Sequence, residues 1–296
     1  MAYKSGFVAL LGRPNVGKST LLNALTGHKV AIVTPKPQTT RQRIRGIVHE
    51  ERGELVLVDT PGIHRPRTRL GYHMVRSAQA AAKDVDLVWH VVDLERGLHV
   101  EDRWVADVVR RVDAPAWLVA NKIDRVSDWR VAVAPFRELA AYAAVFPVSA
   151  LTGAGVGELK DAAFEALPEG PQMFPDDMVT DQAEDVWIAE VIREKVLELT
   201  REEVPHSVAV VVEEKVPRRA DLTYVRATIY VERDSQRGIL IGEEGRMLKE
   251  IGRRAREDLE TLWGHPVYLE LWVKAQRHWR DRDDWLRRFG YGLADR

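Results

Sequence analysis

The sequence predicts two domains in series: a larger α/β domain with a mostly parallel sheet and helices on both faces, and a smaller α+β domain. Three observations predict it. The glycine-rich stretch 12–20, GRPNVGKST, sits between an apolar run at 7–11 and an amphipathic run at 21–25, which reads as strand, loop, helix. The runs 85–92 and 116–120 are apolar without alternation, as strands buried on both faces are, and they are interleaved with helical stretches. Beyond residue 181 the pattern changes to a helix, two alternating strands, a glycine loop between helices, and a third strand.

The chain has 296 residues, enough for two cores. Hydrophobic residues make up 45% and charged residues 30%, the balance of a soluble globular protein. A net charge of −1 gives the whole molecule no field that would draw nucleic acid, so any basic surface must be local. The absence of cysteine excludes disulfides, thiolate zinc sites and cysteine nucleophiles, and fits a reducing compartment. No long apolar segment precedes residue 12 and no run of about 18 apolar residues occurs, so neither a secretory signal nor a membrane span is expected, and a cytoplasmic protein is.

Residues Gly12, Arg13, Pro14, Asn15, Val16, Gly17, Lys18, Ser19 and Thr20 fit the phosphate-binding P-loop, G-x-x-x-x-G-K-[ST]. Gly12 and Gly17 let the backbone turn where a side chain would collide with phosphate. Successive N–H groups, backed by a helix N-terminus, form an anion cradle. Lys18 reaches the outer phosphates as a point charge, and the Ser19 hydroxyl is a ligand for Mg²⁺, a hard cation that takes oxygen.

The stretch 29–45 holds two prolines and no period, so it is a loop of the kind that orders around Mg²⁺. Thr40 is the candidate hydroxyl, with Thr39 the alternative. Strands at 44–49 and 54–58 form a hairpin around 50–53. The second runs into Asp59-Thr60-Pro61-Gly62, where Asp59 can hold Mg²⁺ and the Gly62 N–H can bind a γ-phosphate and release it after hydrolysis. Lys18, Thr40 and Gly62 are thus the candidate catalytic groups. Residue 63 is Ile, followed by His64. Ras-type enzymes use Gln at this point to orient the attacking water. Ile63 cannot, so hydrolysis is expected to be slow or helped from outside, with Ile63 packed in a mobile segment.

A helix is expected at 69–83, a strand at 85–92, a helix at 101–111 and a strand at 116–120 that delivers Asn121-Lys122-Ile123-Asp124. The Asp124 carboxylate can accept from both N1–H and the 2-amino group of guanine, donors that adenine lacks. Hydrogen bonds to a charged group are worth roughly 1.5–3 kcal/mol each, which gives on the order of 10²–10⁴ discrimination. Asn121 and Lys122 tie this loop to the base and the P-loop. A helix at 129–142 and a strand at 144–148 lead to Ser149-Ala150-Leu151, where the Ala150 N–H can reach guanine O6. A helix at 156–167 closes the domain, with every functional loop at the carboxyl edge of the sheet.

Residues 169–181 are rich in proline and acid and read as an extended linker. Then come a helix at 182–201, strands at 207–214 and 223–232, the loop Ile241-Gly242-Glu243-Glu244-Gly245, a helix at 246–263 and a strand at 267–274. A G-x-x-G loop between helices, backed by three strands, is the layout of a KH domain, whose glycines let a single-stranded backbone approach. Ile241, Gly242, Glu243, Glu244, Gly245, Arg246, Lys249 and Arg253 are the candidate RNA-binding residues, with Arg237 and Arg254 near. Glu243 and Glu244 should repel phosphate; placed in the first helical turn they would suit the macrodipole. The tail 276–296 interleaves Arg, Trp and acid: either a basic–aromatic nucleic-acid segment or a terminal helix docked by Trp279, Trp285 and Leu286.

Taken together, GRPNVGKS, PQTTRQR, DTPG, NKID and VSA, followed by IGEEG and HPVYLELWVK, resemble the Era family of bacterial GTPases over essentially the whole chain. The resemblance implies an α/β P-loop GTPase domain at 1–168, a linker at 169–181, a type II KH RNA-binding domain at 182–275 and the tail at 276–296. It implies GTP/GDP and Mg²⁺ as ligands, and a monomer that binds the 3′ end of 16S rRNA and assists 30S subunit maturation, with GTP favouring the RNA-competent state. Some members associate peripherally with the inner membrane. Relatives lacking the catalytic Gln use K⁺, and the resemblance makes Asn15 its ligand; otherwise Asn15 is a turn residue. The acidic pair in IGEEG departs from the family loop. The alternative function is a signalling switch whose second domain binds a protein or a membrane.

Overall fold

The computed structural model describes residues 2–219 and 221–291. It divides into two units, one made of residues up to Arg67 and Gly71–Asp181, the other of Thr68–Leu70 and the residues from Gln182 on.

The first unit runs β1 (Lys4–Leu11), α1 (Lys18–Thr26), β2 (Ile44–Glu50), β3 (Gly53–Asp59), α2 (Arg69–Ala81), β4 (Leu87–Asp93), α3 (Val100–Val109), β5 (Ala116–Asn121), α4 (Trp129–Arg137), β6 (Ala144–Val148) and α5 (Val156–Ala166). Its sheet has the order β2-β3-β1-β4-β5-β6. Only the β2–β3 hairpin is antiparallel. Alternate residues of the central strands face opposite cores. Val8 and Leu10 of β1, with Trp89 and Val91 of β4, pack with Leu21, Leu22 and Leu25 of α1 and Leu159 and Phe164 of α5. Ala9, Leu11 and Val88 pack on the other face with Ala78 of α2 and Val105 and Val109 of α3. Both faces are covered, which is why these strands lack polar alternation. β1 lies between β3 and β4, so the chain crosses to opposite sides of it and a crevice opens at its carboxyl end, where the P-loop begins.

Helix α4 stops at Arg137, short of the 142 that its composition suggests. Pro135 lies inside it and has no N–H for the Val131 carbonyl; the next turn tightens, with Leu139 N–H bonding Phe136 O (3.1 Å). The stretch 169–181 has neither helix nor strand, yet it is fastened along the first unit. Gly170 N–H donates to Tyr3 O (3.1 Å) and Ile47 N–H to Val179 O (2.9 Å). The fully buried Glu54 carboxylate accepts from Met173 and Phe174 N–H (3.2 and 3.0 Å). It is a strap, not a free linker.

The second unit runs α6 (Glu184–Leu199), α7 (Val204–Ser207), β7 (Ala209–Arg219), β8 (Leu222–Val231), α8 (Asp234–Ile241), α9 (Arg246–Trp263), β9 (Val267–Ala275) and α10 (Asp283–Arg288). The sheet order is β7-β8-β9, with β7–β8 antiparallel and β8–β9 parallel, the type II KH arrangement. Its core joins Ile188, Val191 and Ile192 of α6, Val225, Ala227 and Ile229 of β8, and Ile251, Ala255 and Leu259 of α9. Of the two readings of the tail, the docked helix is found: Trp279 is fully buried, donates Nε1–H to Ser207 O (2.8 Å) and meets Phe289 edge-on, while Trp285 packs on Tyr230. Residues 292–296 of the expected tail lie outside the described residues.

Candidate functional site

The P-loop has the strained backbone its glycines permit. Gly17 sits at φ 99°, and a Cβ there would lie 2.2 Å from Asn121 Nδ2. At Gly12 a Cβ would meet Val91 O at 2.6 Å. Lys18 begins α1, is buried, and donates Nζ–H to Gly12 O (3.1 Å) and Arg13 O (3.0 Å), arching over the loop. Burial lowers its ammonium from 10.5 to about 8, so the folded loop holds a cation that an anion would stabilise. The loop opens on a cavity of about 440 Å³, lined by Lys18, Ser19, Thr40, Asn121, Asp124 and Leu151 among others.

Ser19, Thr40 and Asp59 come from α1, the 29–43 loop and the end of β3, and they meet. Ser19 Oγ–H donates to Asp59 Oδ2 (2.6 Å), Thr40 Oγ1–H to the same oxygen (3.3 Å), and the two hydroxyls lie 2.9 Å apart. Thr39 is turned away: its Oγ1 bonds Lys36 O (2.8 Å) and Thr34 Oγ1 (2.7 Å) inside the loop. Between the two threonines the geometry therefore favours Thr40. Asp59 is fully buried, and its Oδ1 has no hydrogen-bond partner among the described residues. Burial raises its carboxyl pKa, while Lys18 and the hydroxyls oppose the rise. An all-oxygen set with one unpartnered carboxylate oxygen fits Mg²⁺.

The 121–124 loop is locked to the P-loop. Asn121 Nδ2–H donates to Val16 O (2.8 Å), and Asn121 Oδ1 accepts from Lys122 N–H (2.8 Å) and Ala150 N–H (2.9 Å). The Ala150 N–H expected to face guanine O6 is thus already engaged, and reaches a base only as a shared donor. Lys122 adopts φ 67° and pairs with Asp93 (2.6 Å). Asp124 lines the cavity with its carboxylate beside Arg125 (3.3 Å). Ser149 is buried and caps the turn by accepting from Thr152 N–H (3.2 Å), and Leu151 is exposed at the rim.

Gly62 packs against Pro14, where a Cβ would come within 2.6 Å of the Pro14 nitrogen, and Ile63 N–H donates to Gly12 O (3.1 Å). The Ile63 side chain is buried with Ala9, Leu11 and Ala78 and points away from the cavity. It offers no polar atom for water, in keeping with its identity. Asn15 has φ 64° and donates Nδ2–H to Pro35 O (2.9 Å), which leaves Oδ1 for a ligand.

Sequence reasoning places Arg13 in the P-loop but misses the partners of its side chain, and it misses the parts played by Asp93, Asp102 and Gln38. Arg13 is buried and bonds Asp102 (3.3 Å), tying the P-loop to α3. Asp93 is shared between Lys122 and Arg13 (3.9 Å) and accepts from Arg96 N–H (3.2 Å). Gln38, at φ 62°, meets His64 Nε2 (3.0 Å) and joins the two loops. The only sequence signal for Asp93 is a carboxylate at the end of a buried strand.

In the second unit, Gly242 (φ 71°) and Gly245 (φ 77°) both need glycine backbone. A Cβ on Gly242 would strike Met247 Cβ at 2.8 Å, whereas around Gly245 the space is open. Glu243 and Glu244 do not lie in the first turn of α9 as expected. They form a separate 3-10 turn, Glu243–Gly245, with Glu244 at φ 52°. Two glycines flanking two residues leave no room for a regular helical start. Arg246 pairs with Glu243, while Arg253 pairs with Glu250 and Glu257 and Arg254 with Glu250. Arg237 pairs with Asp234 (3.3 Å). The loop cations are therefore mostly matched by acid; Lys249 and Ile241 are exposed.

A family model described as a 50S ribosome-binding GTPase matches residues 7–122, and a KH domain model matches 203–280. The GTPase Era of Carboxydothermus hydrogenoformans is 48% identical over 294 residues, covering 98% of this chain and 99% of that protein. A crystal structure of an Aquifex aeolicus Era variant bound to GDP and AlF₄⁻ superposes with a TM-score of 0.94 at 40% identity, covering 98% of this chain and all (100%) of the other. A crystal structure of Era in complex with MgGDPNP and nucleotides 1506–1542 of 16S ribosomal RNA superposes with a TM-score of 0.93, also at 40% identity and with the same coverage of 98% and 100%.

Proposed function

The chain belongs to the Era family of GTPases, and on that premise we propose that it is a GTP-driven switch whose KH domain binds the 3′ end of 16S rRNA and assists maturation of the 30S subunit. The observation that carries this reading is the pairing, on one chain, of the Ser19–Thr40–Asp59 cluster beneath a P-loop with an open glycine step at Gly245.

The chemistry follows from the residues. The P-loop amides and Lys18 hold the β- and γ-phosphates; Lys18 exchanges its contacts with Gly12 and Arg13 carbonyls for phosphate oxygens. Ser19, Thr40 and Asp59 are the protein donors for Mg²⁺, which when bound neutralises charge developing on the β- and γ-oxygens. Asp124 reads the guanine edge, held in place by Asn121 and Lys122. Thr40 and Gly62 sit on the two loops that γ-phosphate orders and hydrolysis releases. With Ile63 buried, no side chain at that position orients water, so intrinsic turnover is slow. Asn15 Oδ1 is the atom we assign to K⁺, which would supply stabilisation of transition-state charge as an arginine finger does. Turnover of Asn15→Ala in KCl and NaCl tests that assignment; K⁺ stimulation that persists in the variant refutes it.

Among the described residues no helix is long and apolar enough to cross a membrane; peripheral association with the inner membrane is part of the proposal. The molecule acts as a monomer. The test of the RNA reading is binding to a single-stranded copy of the 16S 3′ end against a scrambled RNA, at fixed salt. Equal weak binding to both would transfer the second domain to a protein or membrane partner.

A further inference from the structure

The HPVYLELWVK stretch becomes β9, and only half of it is absorbed by the core. Val267, Leu269, Leu271 and Val273 face the helices. Tyr268, Glu270, Trp272 and Lys274 point to the opposite face, where Tyr268 and Trp272 are 58% and 56% exposed. Two large aromatics left in solvent on one strand are unusual for a surface with no task.

This face is built rather than merely exposed. Tyr268 stacks on Tyr224 of β8 (ring centroids 5.8 Å, interplanar angle 23°), and the Arg218 guanidinium covers the Tyr224 ring at 4.1 Å. The result is a ladder of Arg218, Tyr224 and Tyr268 that continues the stacking axis outward. The Glu270 carboxylate accepts from Tyr224 Oη–H (2.5 Å) and Trp272 Nε1–H (2.7 Å), so one acid fixes both rings and is itself satisfied. Its pKa is lowered by those two hydrogen bonds. The other acids of the face are also engaged: Glu214 with Arg226 (3.0 Å) and Glu213 with Tyr230 Oη (3.4 Å). Arg218 at one end of the aromatic row and the exposed Lys274 at the other remain as cations without an ion pair among the described residues. Rigid π-faces between two cations suit unpaired bases on a phosphate backbone.

β9 is an edge strand, and α8 and α9, which bracket the glycine loop, both lie against it. A strand of RNA leaving that loop would reach the aromatic face by crossing the free edge of β9. We propose that the part of the outer sheet face left open beside the docked tail, at Tyr224, Tyr268 and Trp272, is a second RNA contact, stacking two bases of the same single strand on Tyr268 and Trp272, with Arg218 and Lys274 at the flanking phosphates. The inference rests on the RNA reading of the KH domain and extends it to a surface outside the glycine loop.

The test compares two RNAs copied from the 16S 3′ end, one of about six nucleotides that fills only the glycine-loop groove and one long enough to pass the β9 edge. The probe is fluorescence anisotropy with the protein loaded with a non-hydrolysable GTP analogue. Tyr268→Ala with Trp272→Ala should weaken the long RNA on the order of 10- to 100-fold and leave the short one unchanged. Trp272→Phe, which keeps a ring, should hold the long RNA within about threefold. With the wild type, 5-iodouridine in the long RNA should cross-link to the β9 peptide, a readout independent of variant folding. Unchanged long-RNA binding in the double variant, equal loss on both RNAs, or cross-links confined to the glycine loop would overturn the proposal. Wild-type protein that binds neither RNA would instead overturn the RNA reading itself.

Discussion

Gly17→Ala isolates the joint between the P-loop and the 121–124 loop proposed to read the base. Two separate effects act at this position. The residue has φ 99°, where a non-glycine side chain costs about 1–2 kcal/mol. The added Cβ also falls 2.2 Å from Asn121 Nδ2, far inside contact distance. Asn121 is buried and carries three hydrogen bonds, to Val16 O, Lys122 N–H and Ala150 N–H. Displacing it leaves buried backbone groups unpaired, at about 1–3 kcal/mol. The free protein can relax by letting the 121–124 loop swing out; on the proposed function the nucleotide-bound form cannot. The φ strain is met in the free and bound protein alike and lowers stability, so the part that appears in binding is the displacement of Asn121, on the order of 1–3 kcal/mol, read as a GDP Kd raised on the order of 10- to 100-fold. Titration with a fluorescent GDP analogue measures it. Gly27→Ala is the control: φ is 69° there too, but no atom lies within 4 Å of the added Cβ. It should lower thermal stability by the strain alone and leave the Kd near wild type. A Gly17→Ala Kd within threefold of wild type would refute the reasoning.

Other predictions follow from the same geometry. Asp59→Asn keeps the shape of the Ser19–Thr40 cluster but removes the charge, so GDP affinity in EDTA should change little while the gain on adding Mg²⁺ is largely lost; a preserved Mg²⁺ gain contradicts the assignment. Lys18 titrates at about 8 when folded and at 10.5 when unfolded, so between those values the unfolded chain binds more protons. Nucleotide-free protein should gain about 3 kcal/mol as pH rises through that window relative to Lys18→Met, read by urea unfolding at pH 7, 8.5 and 10; parallel pH profiles would contradict it. Glu243→Gln with Glu244→Gln removes two exposed acids from the glycine loop and frees Arg246, so RNA binding should tighten several-fold and its salt dependence steepen. Unchanged affinity and slope would show that the loop acids lie off the RNA path.

What was legible in the sequence was what is written locally. A P-loop needs its glycines, lysine and hydroxyl within nine residues, and uninterrupted apolar strands declare a sheet covered on both sides. The Ser19–Thr40–Asp59 cluster could be named because each member follows a recognisable element. Thr40 stands ahead of Thr39 in the sequence reading, but the physical reason for the preference is the internal turn that consumes Thr39, which adjacency does not show. Long-range pairings were out of reach. Nothing adjacent to Glu54 signals that its buried carboxylate receives the backbone of Met173 and Phe174, 119 and 120 residues away, and this is what turns an expected linker into a strap. Arg13 and Asp102, 89 residues apart, are the same case. Helix α4 runs short for a local reason that was visible, Pro135, and that composition alone outvoted. The placement of Glu244 at positive φ follows from the two glycines around it, a backbone constraint that side-chain reasoning about helix dipoles overlooked.

The central claim is that nucleotide state controls sequence-selective RNA binding. Its most direct test is the affinity of the full chain for the 3′ end of 16S rRNA and for a scrambled RNA, each with a non-hydrolysable GTP analogue and with GDP, at one salt concentration. The account predicts selective binding to the true sequence, tightest in the GTP-analogue state. Equal affinity for both RNAs in both nucleotide states would contradict it.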